Sequence, residues 1–138
     1  MGLILDTSVL IAAERQKFNV ADFLLSQPVM PVRLAAITYS ELLHGLARAT
    51  NSGIKSRRKQ FIEAIVSHTG IIGFDRKEAE HHARIWADLE SRGQIIGSHD
   101  LQIAATALSL DYTLATLNVK EFKRVPGLKL AEVAAFQM

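Results

Sequence analysis

The chain has 138 residues, of which 49% are hydrophobic and 22% charged, and it carries a formal net charge of +2 with no cysteine. This length and composition predict one domain, residues 1–138, with a packed core and not a disordered chain. Disulfides and thiolate metal sites are excluded, no apolar run is long enough to span a membrane, and no secretory signal is recognisable. We therefore expect a soluble cytoplasmic protein with no membrane partner.

The first predicted element is an apolar run, Leu3–Leu5, that leads directly into Asp6. A continuous apolar run of this length predicts a strand buried on both faces, which is typical of the middle of a parallel sheet. A carboxylate at the end of a buried strand is costly unless something pairs with it, and ligands bind at the carboxyl ends of strands in open α/β sheets. Asp6 is therefore either the cap of the next helix or the first member of an acidic site.

Predicted helices and strands alternate along the rest of the chain. Apolar runs predict further strands at 34–37, 71–74 and 112–116, and a weaker one at 128–130. The spacing of apolar residues predicts helices over 8–17, 20–26, 38–49, from 51–59 through Val66, 75–93, and from 98 through 108. Strands separated by helices predict an α/β fold, a three-layer domain with a central parallel sheet of four to five strands flanked by helices.

Four oxygen-bearing side chains follow a predicted strand or begin a predicted helix: Asp6, Glu41, Asp100 and Asn118, with Glu121 close behind. Such positions lie at one edge of a parallel sheet, so these side chains are expected to converge. Each also has an ordinary structural interpretation. Glu41 completes a capping box with Thr38, Asp100 suits the positive end of a helix, and Asn118 suits a turn.

The chemistry of such a cluster is coherent. Clustered carboxylates repel one another unless a cation lies among them. Oxygen ligands without cysteine or paired histidine suit Mg²⁺ or Mn²⁺, which activate water and stabilise charge on a phosphoryl group. An RNA or DNA partner would also need flanking cations. The candidates are Arg48, Lys120, Lys123, Arg124 and the basic run at 55–59, which is equally well explained as a solvated helix start.

With these residues placed, the sequence resembles the PIN-domain ribonucleases of the VapC toxin family, found in type II toxin–antitoxin systems. The matching segments occur in family order over nearly the whole chain. They are Leu3–Ser8, Thr38–Leu42 with Gly45, Gly97–Ala105, and Leu114–Phe122 followed by Val125–Leu128.

The resemblance implies a PIN-like fold and a Mg²⁺-dependent endoribonuclease, with Mn²⁺ able to substitute, that hydrolyses RNA. It also implies a VapB-type antitoxin as partner and a homodimer. Residue by residue, Asp6, Glu41 and Asp100 match the family's acidic triad, and Asn118 takes the fourth place, often an Asp. These four are the expected catalytic and metal-binding residues, and because Asn is a neutral ligand we expect one ion instead of two.

In the implied mechanism, Asp6 and Asp100 hold the ion, Glu41 orients or deprotonates the attacking water, and Asn118 helps to position that water. Thr7 and Thr116 either donate to the metal ligands or act as ordinary helix caps. His99, beside Asp100, is expected at the surface. Apolar positions in the helices at 20–26 and 40–66 are expected to be covered by the antitoxin, with a basic antitoxin side chain reaching the acidic cleft.

Two other functions compete with this interpretation. A phosphatase of the haloacid-dehalogenase type would use Asp6 as covalent nucleophile, but it needs a second Asp two positions later, where this chain has Ser8. A non-catalytic PIN-like module that binds RNA or protein is disfavoured by the complete acidic triad. Trapping of a phospho-aspartate tests the first alternative, and Mg²⁺ titration of the wild type and Asp100→Asn tests the second.

Overall fold

A computed structural model describes residues 1–138. Its four strands form one parallel sheet in the order β3-β2-β1-β4, with β1 at Leu3–Leu5, β2 at Val32–Ala35, β3 at Ile71–Ile72 and β4 at Thr113–Ala115. The helices are α1 (Thr7–Glu14), α2 (Val20–Ser26), α3 (Ala36–Arg48), α4 (Ser52–Thr69), α5 (Arg76–Ser91), α6 (Ser98–Leu110) and α7 (Val119–Phe122). None of these helices is both long and apolar enough to cross a membrane.

The central strand β1 divides the core into two layers. Ile4 packs in one hydrophobic cluster with residues of α5 and α6, whereas Leu3 and Leu5 pack in another with residues of α1 and α2. Successive side chains of a strand point to opposite faces, so three apolar residues in a row serve both layers. The predicted three-layer α/β architecture is confirmed, with a sheet of four strands.

The boundary between β2 and α3 lies earlier than the sequence pattern predicts. The strand ends at Ala35 and the helix begins at Ala36 without a side-chain cap, so Ile37 is helical and Thr38 is not a cap. The capping-box interpretation of Thr38 and Glu41 is therefore wrong, and Glu41 lies in the second turn of the helix. The physical reason is that the Thr38 hydroxyl is buried and contacts Thr7 of α1, at 3.1 Å, instead of the helix end.

Other predicted boundaries differ by smaller amounts. Helix α1 ends at Glu14 instead of residue 17, and β3 is limited to two residues. The weaker fifth strand at 128–130 is reduced to an isolated parallel bridge between Leu114 and Leu130. The backbone bonds on either side, from Leu114 to Lys129 and from Ala131 to Leu114, attach this segment to β4 without extending the pairing.

Helix α5 begins with a capping box formed by Asp75 and Glu78. The Asp75 N–H donates to Glu78 Oε1 at 3.0 Å, and Ser109 Oγ donates to Glu78 Oε2 at 2.9 Å. Burial acts to raise the pKa of Glu78, but these hydrogen bonds outweigh it and hold the pKa below its usual value. One buried carboxylate thus joins the start of α5 to the end of α6 and fixes how the two helices pack.

Replacing Glu78 with Ala is expected to lower the free energy of unfolding by about 1–3 kcal/mol at neutral pH, because two donors lose their acceptor. The pKa is lower in the folded state, so the ionised carboxylate stabilises the fold above the unfolded pKa. That stabilisation is lost as pH falls through the folded pKa. Urea unfolding should therefore show a smaller difference between wild type and E78A at about pH 3 than at about pH 7.

Glu80→Ala is the matched control on the same helix. Its side chain is 63% exposed and pairs with Arg76 at 3.5 Å, so the expected change is below about 0.5 kcal/mol. An E78A protein as stable as E80A would contradict the stabilising role of Glu78 between α5 and α6.

Candidate functional site

The carboxyl edge of the sheet carries all four side chains predicted from the sequence. Asp6 follows β1, and Asn118 lies between β4 and α7. Glu41 projects from α3, which follows β2, and Asp100 lies in the first turn of α6. The segments that leave or approach three neighbouring parallel strands meet at this edge, which explains how residues more than a hundred positions apart in sequence lie together.

We call the cluster of Asp6, Glu41, Asp100, Asn118 and Glu121 the acidic edge. Asp6 is its most buried member, with only 3% of its surface exposed. Its Oδ2 accepts from Ser8 Oγ at 2.5 Å, from Thr116 Oγ1 at 2.8 Å and from the Ser8 N–H at 3.3 Å. Its Oδ1 is buried and has no hydrogen-bond partner. Burial raises the pKa of Asp6, although the hydrogen bonds oppose the shift. Asp6 is thus both the N-cap of α1 and part of the acidic edge.

Asp100 faces several other carboxylates. Burial, and then the negative charges of Asp6, Glu121 and Glu41, raise the pKa of Asp100 to about 7. Asn118 Nδ2 donates to Asp100 Oδ2 at 3.3 Å and to Glu121 Oε2 at 3.1 Å. Asn118 therefore presents its amide nitrogen, and not its oxygen, to the two carboxylates in this structure. Glu121 lies within the acidic edge and supplies the negative charge that Asn118 lacks.

Glu41 is held by two neighbouring side chains. The Thr7 hydroxyl donates to Glu41 Oε1 at 2.7 Å, and His99 Nδ1 lies 3.4 Å from Glu41 Oε2. Because Thr7 has one hydroxyl proton and gives it to Glu41, the Thr38 hydroxyl supplies the proton in the Thr7–Thr38 contact. His99 is exposed, as expected, but it also lies against the acidic edge.

Three contacts at this edge were not predicted from the sequence: the Ser8 hydroxyl on Asp6, the contact of His99 with Glu41, and the hydrogen bond from Asn118 to Glu121. Glu121 itself was expected close behind Asn118. Ser8 lies two residues after Asp6, and Glu121 lies three residues after Asn118. Both spacings suit local hydrogen bonding and could have indicated the contacts. No local signal marks the contact between His99 and Glu41, because 58 positions separate the two residues.

The basic side chains near this edge form no ion pairs with its carboxylates. In the basic run at 55–59, Arg57 and Arg58 instead approach Glu14 of α1, with Nε to Oε1 distances of 3.9 Å and 3.5 Å. Lys120 and Lys123 are exposed beside α7. The acidic edge therefore keeps its negative charge uncompensated within the protein.

The chemistry of this edge fits a divalent cation. No group of three or more His, Asp or Glu side chains is already arranged to hold a metal ion. Nevertheless, a buried carboxylate oxygen without a donor and a carboxyl group with a strongly raised pKa are the conditions that a cation relieves. The donor set is made of oxygens, which suits a hard ion such as Mg²⁺ or Mn²⁺.

A small groove opens beside the acidic edge, between α1, α3 and α4. Glu41 lines both the groove and the acidic edge. The groove is otherwise apolar over much of its wall and charged at Glu14, Arg15 and Arg58; its apolar lining is Leu10, Ile11, Leu42, Phe61 and Ile62. Helix α2 contributes no residue to it, although Leu25 of that helix is 83% exposed.

Comparison with known protein families and sequences agrees with this architecture. A family model described as PIN domain matches residues 3–128. Ribonuclease VapC1 of Rickettsia felis is 39% identical over 135 residues, which is 98% of this chain and 98% of that protein. A tRNA(fMet)-specific endonuclease VapC of Shigella flexneri is 32% identical over 136 residues, covering 94% of this chain and 96% of that protein.

The solved structures agree as well. The crystal structure of VapBC2 from Rickettsia felis, bound to a DNA fragment from its promoter, matches with a TM-score of 0.85 and 28% identity. The match covers 95% of this chain and 98% of that chain. None of these matches is to a phosphatase of the haloacid-dehalogenase type, the alternative considered from the sequence. The chain belongs to the PIN-domain family, and within it to the VapC ribonucleases.

Proposed function

We propose that this protein is the Mg²⁺-dependent toxin of a type II toxin–antitoxin pair and hydrolyses RNA phosphodiester bonds in the cytoplasm. Divalent-metal dependence follows from membership of the PIN nuclease family, and the choice of Mg²⁺ rests on the oxygen ligands. The observation that carries the proposal is the buried Oδ1 of Asp6, which has no donor, together with the charge interaction between Asp6 and Asp100, whose pKa is raised to about 7. The proposal treats residues 1–138 as one PIN domain.

Asp6 and Asp100 are the residues that would hold the ion. When bound there, the ion supplies a more acidic water molecule and neutralises charge on the scissile phosphate. Ser8 and Thr116 both donate to Asp6 Oδ2, which fixes the carboxylate and leaves Oδ1 without a donor. These two hydroxyls therefore orient a metal ligand, as hydrogen-bond donors behind metal ligands commonly do.

Glu41 is the residue that orients the attacking water or takes its proton. Its Oε1 is held by Thr7 at 2.7 Å, while its side chain is only 30% exposed. A fixed carboxylate within reach of a water molecule meets the geometric requirement for a general base. Asn118 positions Asp100 and Glu121 through its amide nitrogen, and we propose that Glu121 provides the fourth carboxylate.

We further propose a homodimer, and transfer RNA as the first substrate to test. The relative from Shigella flexneri is named for cleavage of tRNA(fMet). A basic surface is needed to bring an RNA backbone towards an acidic edge. Lys120 and Lys123 stand exposed next to Glu121 and meet that need without neutralising the carboxylates.

The groove beside Glu41 is the proposed binding site for a VapB-type antitoxin segment. The VapBC2 structure from Rickettsia felis is a toxin–antitoxin complex with a toxin-like chain of the same fold. An apolar groove with charged residues at Glu14, Arg15 and Arg58 suits an amphipathic peptide segment. A basic side chain of that segment would reach Glu41, which lines both the groove and the acidic edge.

Substitution of Asp6 or Asp100 by Ala is expected to reduce RNA cleavage by more than about 100-fold. Even residues that only orient a metal ligand cost about 10–100-fold. The measurement is sequencing of RNA 5′ ends after brief expression, together with cleavage of purified RNA in Mg²⁺. Asp111→Asn, at the other end of α6, is the control, because Asp111 pairs only with exposed Lys129 and Asn accepts its left-handed backbone. Wild-type cleavage by either Ala variant would refute the site.

Asp100→Asn is expected to stabilise the metal-free protein, with a gain in Tm of a few degrees at about pH 8. The pKa of Asp100 is higher in the folded state, so the folded protein binds the extra proton between the usual Asp value and about 7. Stability therefore falls as pH rises through that window and stays reduced above it. Thermal unfolding in EDTA should show the gain shrinking towards about pH 4. A gain in Tm that does not depend on pH would show that the raised pKa of Asp100 is not its cause.

Ile11→Glu is expected to weaken antitoxin binding by at least about tenfold while RNA cleavage stays near wild type. Ile11 lines the groove and is 40% exposed, so the charge alters the groove without emptying the core. Leu25→Glu is the control, because Leu25 is 83% exposed on α2 outside the groove. Co-purification with the antitoxin and titration of the purified pair measure the effect. Loss of binding in L25E alone would place the antitoxin on α2 instead.

A further inference from the structure

Two arginines outside the acidic edge each donate a hydrogen bond to the other's segment of main chain. Arg92, at the end of α5, donates from Nη2 to the Arg124 carbonyl oxygen at 2.8 Å. Arg124, two residues after α7, donates from Nη1 to the Ile95 carbonyl oxygen at 3.0 Å. The two bonds run in opposite directions between the same pair of segments. We call Arg92, Ile95 and Arg124 the reciprocal arginine clamp.

The Arg92 guanidinium is itself fixed on three sides. Its Nε and Nη2 donate to Asp88 Oδ2 at 3.0 Å and 2.6 Å, and its Nη1 donates to Gln94 Oε1 at 3.0 Å. A planar fork with several donors can make all these bonds at once, whereas an ammonium group is a compact point donor. Arg124 makes only one such bond, to a single carbonyl oxygen. The two arginines therefore differ in how far a lysine could replace them.

The clamp joins the two chain segments that bring carboxylates to the acidic edge. Ile95 leads into α6, whose first turn carries Asp100. Arg124 closes α7, because its N–H donates to the Glu121 carbonyl oxygen at 3.0 Å. Thus the clamp bridges the backbone just before Asp100 and the backbone just after Glu121.

These two segments carry charges that repel. Asp100 and Glu121 interact unfavourably as negative charges, and Asn118 Nδ2 is the donor placed between them, at 3.3 Å and 3.1 Å. Helix α7 has only four residues, too few to be rigid by itself. Phe122 and Val125 anchor this stretch in the core, and contacts at its ends further restrict how α7 can rotate. The clamp is such a contact.

We propose that Arg92 and Arg124 are positioning residues that hold Glu121 and Asn118 against Asp100, so that this edge is pre-arranged for a divalent cation. The proposal rests on the proposed function in one respect, that the carboxylates of the acidic edge bind such a cation. The clamp residues are not ligands of the cation; they act through the backbone of Ile95 and the end of α7.

The test is calorimetric titration of the purified full-length protein with Mn²⁺ alone. Arg92→Ala and Arg124→Ala are each expected to weaken Mn²⁺ affinity about three- to tenfold, the scale of one lost hydrogen bond. Arg124→Lys is expected to restore most of the affinity, because one ammonium group can reach one carbonyl oxygen. Arg92→Lys is not, because it cannot replace the fork. Arg76→Ala is the control, since Arg76 lies on the same helix with its side chain 91% exposed and pairs only with Glu80.

The possible outcomes distinguish a positioning role of the clamp from a purely structural role and from failure of the proposed metal site. Thermal unfolding in EDTA is measured for every variant, and titrations are run well below each Tm. A lowered Tm with unchanged Mn²⁺ affinity in both Ala variants would show a merely structural role and overturn the proposal. If the wild type and Asp100→Ala bind Mn²⁺ alike, or neither binds it, the proposed site fails and the clamp proposal fails with it. If Asp100→Ala alone loses affinity, the site stands and the clamp is overturned.

Discussion

The burial of one carboxylate at the end of the central strand determines the rest of the site. Asp6 follows a strand with no exposed residue, and only 3% of its own surface remains exposed. A charged group in such a place destabilises the fold unless donors or a cation compensate. Three donors surround one of its oxygens and none reaches the other. Hydrogen bonds thus satisfy one oxygen of Asp6, whereas the other oxygen has no donor within the protein and is available to the proposed cation.

The surrounding side chains divide into donors and carboxylates. Thr7, Ser8 and Thr116 are hydroxyl donors, each directed at an oxygen of Asp6 or Glu41. Asp100, Glu41 and Glu121 are carboxylates that repel one another, and no Lys or Arg lies within ion-pair distance of them. This arrangement raises the pKa of Asp100, so a neutral residue at that position is expected to stabilise the protein without a cation. The acidic edge is therefore expected to lower the free energy of unfolding. The hydrogen bonds that Glu78 accepts from Asp75 and Ser109 are one of the contributions that compensate for it.

The sequence was sufficient to predict the sheet and the convergence of the four side chains, because both follow from short apolar runs that end in polar residues. Asp6 needed only the rule that strand ends meet at one edge, and Asp100 needed the matching rule that the helices between parallel strands begin at that edge. The β2–α3 boundary could not be predicted, since Leu34–Ile37 is apolar throughout and nothing local marks where extension becomes helix. The donors Thr7 and Thr116 were among the alternatives considered from the sequence, whereas the contact of His99 with Glu41, from a distant segment, could not be predicted. The sequence indicated Arg124 only as a candidate cation for a nucleic-acid partner, and nothing marked Arg92. The acceptors of both are backbone atoms, which no residue type reveals.

Glu41 lines the groove as well as the acidic edge, and this double placement constrains how the protein can change over generations. A peptide inhibitor seated in the groove would bind the same carboxylate that we propose to orient the attacking water. Any substitution of Glu41 that frees the enzyme from such an inhibitor would also disable its chemistry. Escape from inhibition is therefore confined to the apolar wall of the groove, where Ile11 and Leu42 can vary without touching the reacting atoms. An inhibitor that binds Glu41 therefore contacts a position that its target cannot substitute without losing activity.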